Sequence, residues 1–179
     1  MERLTFAVSQ SKVEGRTLSG VAHAYGQVTT DARKHSFAPG AFAKSIAKGG
    51  VVSFAFHDDT KLLATQKAGT LRLQDGSDGL QFELDLPEGV SYAEDLKALL
   101  KAGVEPGMSF GVLPGKSSTK GGVRTFTEAE LVSVDPVAMP AFEGTSVILN
   151  SAGWPGTSHT TTVTIRARVR RERQRRGIA

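Results

Sequence analysis

The 179-residue chain contains no cysteine, one tryptophan and two tyrosines, with aromatic residues at 7%. No disulfide can form, and no thiolate is available as nucleophile or metal ligand. The scarcity of aromatics argues against a stacking platform for nucleic-acid bases. Long apolar runs are also missing. The longest, around Val51 to Phe56, is far too short to span a bilayer. The opening Met1-Glu2-Arg3-Leu4-Thr5-Phe6 lacks the basic start and apolar stretch of a secretory signal, which predicts a cytoplasmic protein.

What is present is basic overall, at a formal +4, but unevenly so. Between Arg166 and Arg176 stand seven arginines against Glu172, a local charge of +6 that leaves the rest of the chain at −2. The preceding Ser151-Ala152-Gly153-Trp154-Pro155-Gly156-Thr157-Ser158 has linker composition. The expected organisation is a domain over 1–150, followed by a flexible linker and arginine-rich tail over 151–179. Such a tail reads first as a solvated arm, and second as a binder of acidic protein or nucleic acid.

Twenty glycines separate short segments rich in Val, Leu, Phe and Thr, the pattern of a β-rich domain. Strands are expected over 4–8, 18–25, 51–56, 70–74, 80–86, 108–113, 123–127 and 131–138, forming a sheet or barrel. One helix is expected from about Ala41 to Lys48, between Pro39 and Gly49. A second follows Ser91, where Ser91 and Glu94 read as a capping box, Leu96, Leu99 and Leu100 as a buried stripe, and Gly103 as the terminator.

The candidate chemistry rests on hydroxyls, carboxylates and four histidines, His23, His35, His57 and His159. His57-Asp58-Asp59 is a poor metal cluster, because adjacent strand residues face opposite ways and no H-x-x-x-H spacing accompanies it. Strand alternation over 51–57 groups Val52, Phe54 and Phe56 on one face and Ser53, Ala55 and His57 on the other. In 107–112 it groups Met108, Phe110 and Val112, leaving Ser109 opposite, between Gly107 and Gly111. A base and a nucleophile can therefore meet on the face opposite the bulky residues, where a histidine accepts the serine proton. Gly107-x-Ser109-x-Gly111 also matches a nucleophile elbow, with Asp135 and His159 in matching order. An elbow requires a helix directly after the serine, and 110–115 reads as continuing strand.

Four segments spread over about 36–141 resemble the prohead protease family of tailed phages and prophages, whose fold is similar to that of herpesvirus assemblins. They are Ser36-Phe37-Ala38-Pro39-Gly40-Ala41-Phe42, the strand Val52 to Asp58 that ends in His57-Asp58, the serine segment Gly103-Val104-Glu105-Pro106-Gly107-Met108-Ser109-Phe110-Gly111, and Arg124 to Leu131 leading to Met139-Pro140-Ala141. Val112 replaces the Phe that ends the family's serine motif. Their order and spacing together are specific.

The resemblance implies a mainly β, α+β fold of the assemblin-like antiparallel barrel type with flanking helices. It implies a serine endopeptidase with Ser109 as nucleophile and His57 as general base, needing neither metal nor organic cofactor. The third catalytic group should lie on a later strand carrying Glu128, Glu130, Ser133 and Asp135. The family commonly has glutamate where this chain has Ser133, and serine where it has Asp135. Glu130 is the first choice, with Asp135 next and Glu128 a further alternative. The implied substrates are scaffold or the scaffold-like arm of the major capsid protein, and the enzyme itself, inside the prohead in the host cytoplasm. A homo-oligomer is compatible, and nucleic acid is expected to engage only the basic tail. The rival reading is a non-catalytic β-barrel module for capsid assembly or nucleic-acid binding.

Overall fold

Apolar side chains spaced two apart, such as Leu80, Phe82 and Leu84, are fully buried, and that alternation is what a half-buried strand requires. The computed structural model of the protein describes residues 15–29, 34–104 and 106–138, together with the backbone of 146–150. The described chain is mainly β, with two helices. Its strands are β1 (Thr17–Ala24), β2 (His35–Phe37), β3 (Val52–Phe54), β4 (Leu62–Thr65), β5 (Leu71–Asp75), β6 (Gly79–Asp85), β7 (Gly107–Pro114), β8 (Ser117–Lys120), β9 (Val123–Phe126), β10 (Ala129–Val137) and β11 (Ser146–Asn150). Helices α1 (Ala43–Lys48) and α2 (Ser91–Lys101) complete the inventory.

Hydrogen-bonded pairing gives sheets of order β11-β1-β6-β5, β4-β3-β10-β7 and β2-β9-β8. Among the described residues these ladders do not close into one barrel. The core they enclose includes Leu18, Phe37, Phe42, Phe82, Leu96, Met108 and Val134. No helix among the described residues is long and apolar enough to cross a membrane.

Both helices differ in detail from the sequence expectation. In α1, Gly49 adopts φ 73° and its N–H bonds the carbonyl of Ile46, the left-handed stop that glycine favours. The other end is held by Asp75 of β5, whose Oδ2 accepts the N–H of Phe42 at 3.0 Å. Its Oδ1 takes the hydroxyl of Tyr25. The N-cap of α2 is Val90, which makes no side-chain cap bond, and Ser91 is the first helical residue, so Ser91 does not occupy the cap position that the capping box requires. Leu96 is buried, whereas Leu99 is 39% exposed. Gly103, at φ 77°, does end the helix as expected, with its N–H bonded to Leu100 and that of Val104 to Leu99.

Strands β2, β4, β8 and β11 fall outside the strands expected from the sequence pattern. The expected strand over 4–8, and the tail with His159, lie outside the described residues.

Candidate active site

The second sheet builds the site around its strand β10, which runs antiparallel to β7 on one side and parallel to β3 on the other. On β7, Met108 is buried and Phe110 and Val112 pack against the core, so Ser109 and Gly111 face the other way, as alternation predicted. Ser109 lies mid-strand with no helix after it, which removes the elbow reading. Directly opposite Ser109 on β10 is Asp135, and opposite Gly111 is Ser133. Residues so paired share a face, with Cβ atoms about 5 Å apart.

The register is set by an irregularity between Leu131 and Ser133. Before it, Leu131 opposes Val112 on the core side; after it, Val134 opposes Phe110 on that side. One extra residue on β10 therefore turns Ser133 and Asp135 onto the face of Ser109.

His57 reaches this face by a route different from the one alternation predicted. Strand β3 stops at Phe54, and Ala55–His57 form one 3-10 turn. Phe56 and His57 both have positive φ, 57° and 59°, a left-handed conformation unfavourable for residues with a Cβ. The bulky face is also the reverse of the expected one: Val51, Ser53 and Ala55 are buried, and Phe56 is 42% exposed. The turn is held by the N–H of Ala55 on the carbonyl of Lys61 at 2.9 Å, and by the N–H of Asp58 on the carbonyl of Ala55 at 3.0 Å. Asp58 fixes the following loop through Thr60 and Lys61. The hydrogen bond from Lys61, then those from Thr60, hold its carboxyl down at about 2.

The kinked turn delivers the imidazole to Asp135. His57 Nδ1 stands 2.5 Å from Asp135 Oδ2. That oxygen also accepts the hydroxyl of Ser133 at 2.7 Å, and Oδ1 accepts the N–H of Phe54 at 2.8 Å. Asp135 is fully buried, while the His57 side chain is about half exposed. A buried carboxylate with three donors is well compensated for its lost hydration. Because a carboxylate only accepts, the Nδ1 proton of the neutral ring points to Asp135, which leaves Nε2 as the ring's acceptor. No hydrogen bond joins Ser109 to His57 among the described residues; contacts of this kind commonly tighten only in the substrate complex.

Glu130 is not at the imidazole. It is exposed and pairs with Lys48 at 3.6 Å. Glu128 pairs with Lys44 at 2.8 Å and Lys116 at 3.5 Å. The acid that contacts His57 is Asp135, the second of the sequence candidates.

Comparison with protein-family models places the chain among serine proteases. The match is to the caudovirus prohead serine protease family and extends over residues 5–157. The chain belongs to that family. No curated protein and no solved structure matches it significantly.

Proposed function

We propose that Ser109, His57 and Asp135 act together as the catalytic group of a capsid-maturation endopeptidase. The observation that carries this reading is the 2.5 Å contact between His57 Nδ1 and the buried Asp135 carboxylate, made on the face to which Ser109 is turned by its pairing with Asp135. Ser109 Oγ attacks the scissile carbonyl carbon while His57 Nε2 takes its proton. That proton then passes to the leaving amine, and the acyl-enzyme remains. Water, deprotonated by the same nitrogen, releases the second product and regenerates Ser109. Asp135 holds the ring in the tautomer this requires and offsets the positive charge on the imidazolium.

The substrates in this reading are scaffold or the scaffold-like arm of the major capsid protein, and the protease itself, cleaved inside the prohead. The domain over 1–150 carries the chemistry, in a fold of assemblin-like type, and the arginine tail serves recruitment. A non-catalytic assembly module gives no reason for a buried acid to hold a half-exposed histidine while standing opposite a serine across the ladder.

The test is labelling with a phosphonofluoridate, which forms an Oγ–P bond as fluoride leaves and the base takes the proton. Labelling at Ser109 that is lost in His57→Ala supports the proposal. Equal labelling in His57→Ala, or modification at another serine, contradicts it.

A further inference from the structure

The carboxylate of Asp135 is held at both oxygens. Phe54 N–H fixes Oδ1 at 2.8 Å, and the Ser133 hydroxyl shares Oδ2 with His57, at 2.7 Å. Ser133 is itself only 6% exposed. A carboxylate anchored at one oxygen can still rotate about its χ2, which is a soft torsion. Anchored at both, it presents Oδ2 to the imidazole in one direction.

The space for the Ser133 hydroxyl comes from across the ladder. Gly111 is the residue paired with Ser133. A Cβ added at Gly111 would lie 2.9 Å from Ser133 Oγ, with the other atoms of Ser133 no nearer than 3.8 Å. The contact is thus to the hydroxyl alone. The least costly relief is rotation of Ser133 about χ1, and that rotation breaks the bond to Asp135. Gly111 is not needed for its backbone conformation, since it is absent from the glycines with positive φ.

We propose that Ser133 is a positioning residue that acts on His57 through Asp135, and that Gly111 is glycine because any side chain there displaces the Ser133 hydroxyl. This rests on the reading of Asp135 as the acid that orients His57. It accounts for the second glycine beside the nucleophile by a cross-strand contact two residues away, with no direct role toward substrate.

The experiment measures the rate at which a phosphonofluoridate labels Ser109 in the full chain, separating the maximal rate from the probe concentration at half-maximal rate. Ser133→Ala and Gly111→Ala should each lower the maximal rate on the order of 10-fold, as expected for loss of a hydrogen bond to a charged group. The half-saturating concentration should stay unchanged. A merely structural defect would reduce the fraction of protein labelled and leave the rate of the labelled fraction alone. In Gly111→Ala/Ser133→Ala the obstructed hydroxyl is gone, so the loss should be no greater than in Ser133→Ala alone.

Wild-type rates in both single variants, or multiplied losses in the double, would overturn the proposal. Asp135→Asn separates the two levels. If it labels at the wild-type rate, the reading of Asp135 fails; if it is slow while Ser133→Ala is not, only the positioning role fails.

Discussion

Ser109 and Asp135 stand opposite each other across the β7–β10 ladder, and the same Asp135 carboxylate grips the imidazole of His57. One central strand thus supplies a buried carboxylate that stands opposite a serine on the strand to one side and contacts a histidine in the turn that follows the strand on the other. This relationship makes the identity of the acid a sharp experimental question.

Asp135→Asn should lower the turnover number by up to roughly 10⁴, since an amide that donates to Nδ1 imposes the wrong tautomer. Glu130→Gln should change the rate little, because Glu130 is exposed and paired with Lys48. Steady-state kinetics on both variants check this, with thermal melts to show that each is folded. A large loss in Glu130→Gln with normal activity in Asp135→Asn would reverse the assignment.

The serine strand was legible because β7 is extended over its whole length, so period-two alternation holds from Met108 to Val112. The route to His57 was not, because alternation ends where the chain leaves extended geometry, and two consecutive left-handed residues at Phe56 and His57 carry no glycine or asparagine to announce them. The choice among Glu128, Glu130 and Asp135 depended on the irregularity after Leu131. Strict alternation would have put Asp135 with Leu131 in the core. A one-residue bulge leaves no mark in a run such as Leu131-Val132-Ser133-Val134-Asp135, yet it decides which acid faces the histidine. Glycine-terminated helix ends were readable, since Gly49 and Gly103 do adopt positive φ. The three-sheet arrangement depends on long-range pairing that local pattern does not encode.

The left-handed turn gives a second prediction. Phe56→Gly should leave stability within about 1 kcal/mol, because relief of a left-handed conformation offsets the greater chain entropy of glycine in the unfolded state. Phe56→Val should destabilise and also slow catalysis, since a β-branched residue resists this conformation and the turn carries His57. Urea melts and labelling rates check the pair. Equal behaviour of the two variants would show that the turn is not strained.

A pH effect on stability is expected from His23, a fully buried residue packed edge-on against Tyr25 and Phe37 and tilted against Phe110. Burial pushes its pKa down from 6.5 to about 4. The unfolded chain therefore binds more protons than the folded one between those values. This residue's contribution is full above pH 6.5, falls as pH drops, and levels off below about 4, a total on the order of 3 kcal/mol. His23→Phe should flatten that part of the stability–pH curve. A curve unchanged in slope between pH 4 and 6.5 in the variant would assign the dependence elsewhere.

The charge pattern predicts a separable role for the C-terminal segment. A chain ending at residue 157, where the family match ends, should retain Ser109 labelling and cooperative unfolding. Recruitment to assembling capsids should weaken, and the recruitment of the full chain should itself decline with added salt, as exposed charges are screened within about 8–10 Å. Co-sedimentation with capsid subunits at several salt concentrations measures this. Loss of cooperative unfolding on truncation would place the segment in the folded domain.

The most direct measurement is incubation of the full chain with its major capsid protein and scaffold, followed by mass analysis of the fragments. Discrete cleavage is expected from the wild-type chain and none from Ser109→Ala or His57→Ala, with both variants as stable as the parent and the double variant no more impaired than either single one. Undiminished fragment formation by a folded Ser109→Ala protein would contradict the assignment of Ser109 as the nucleophile.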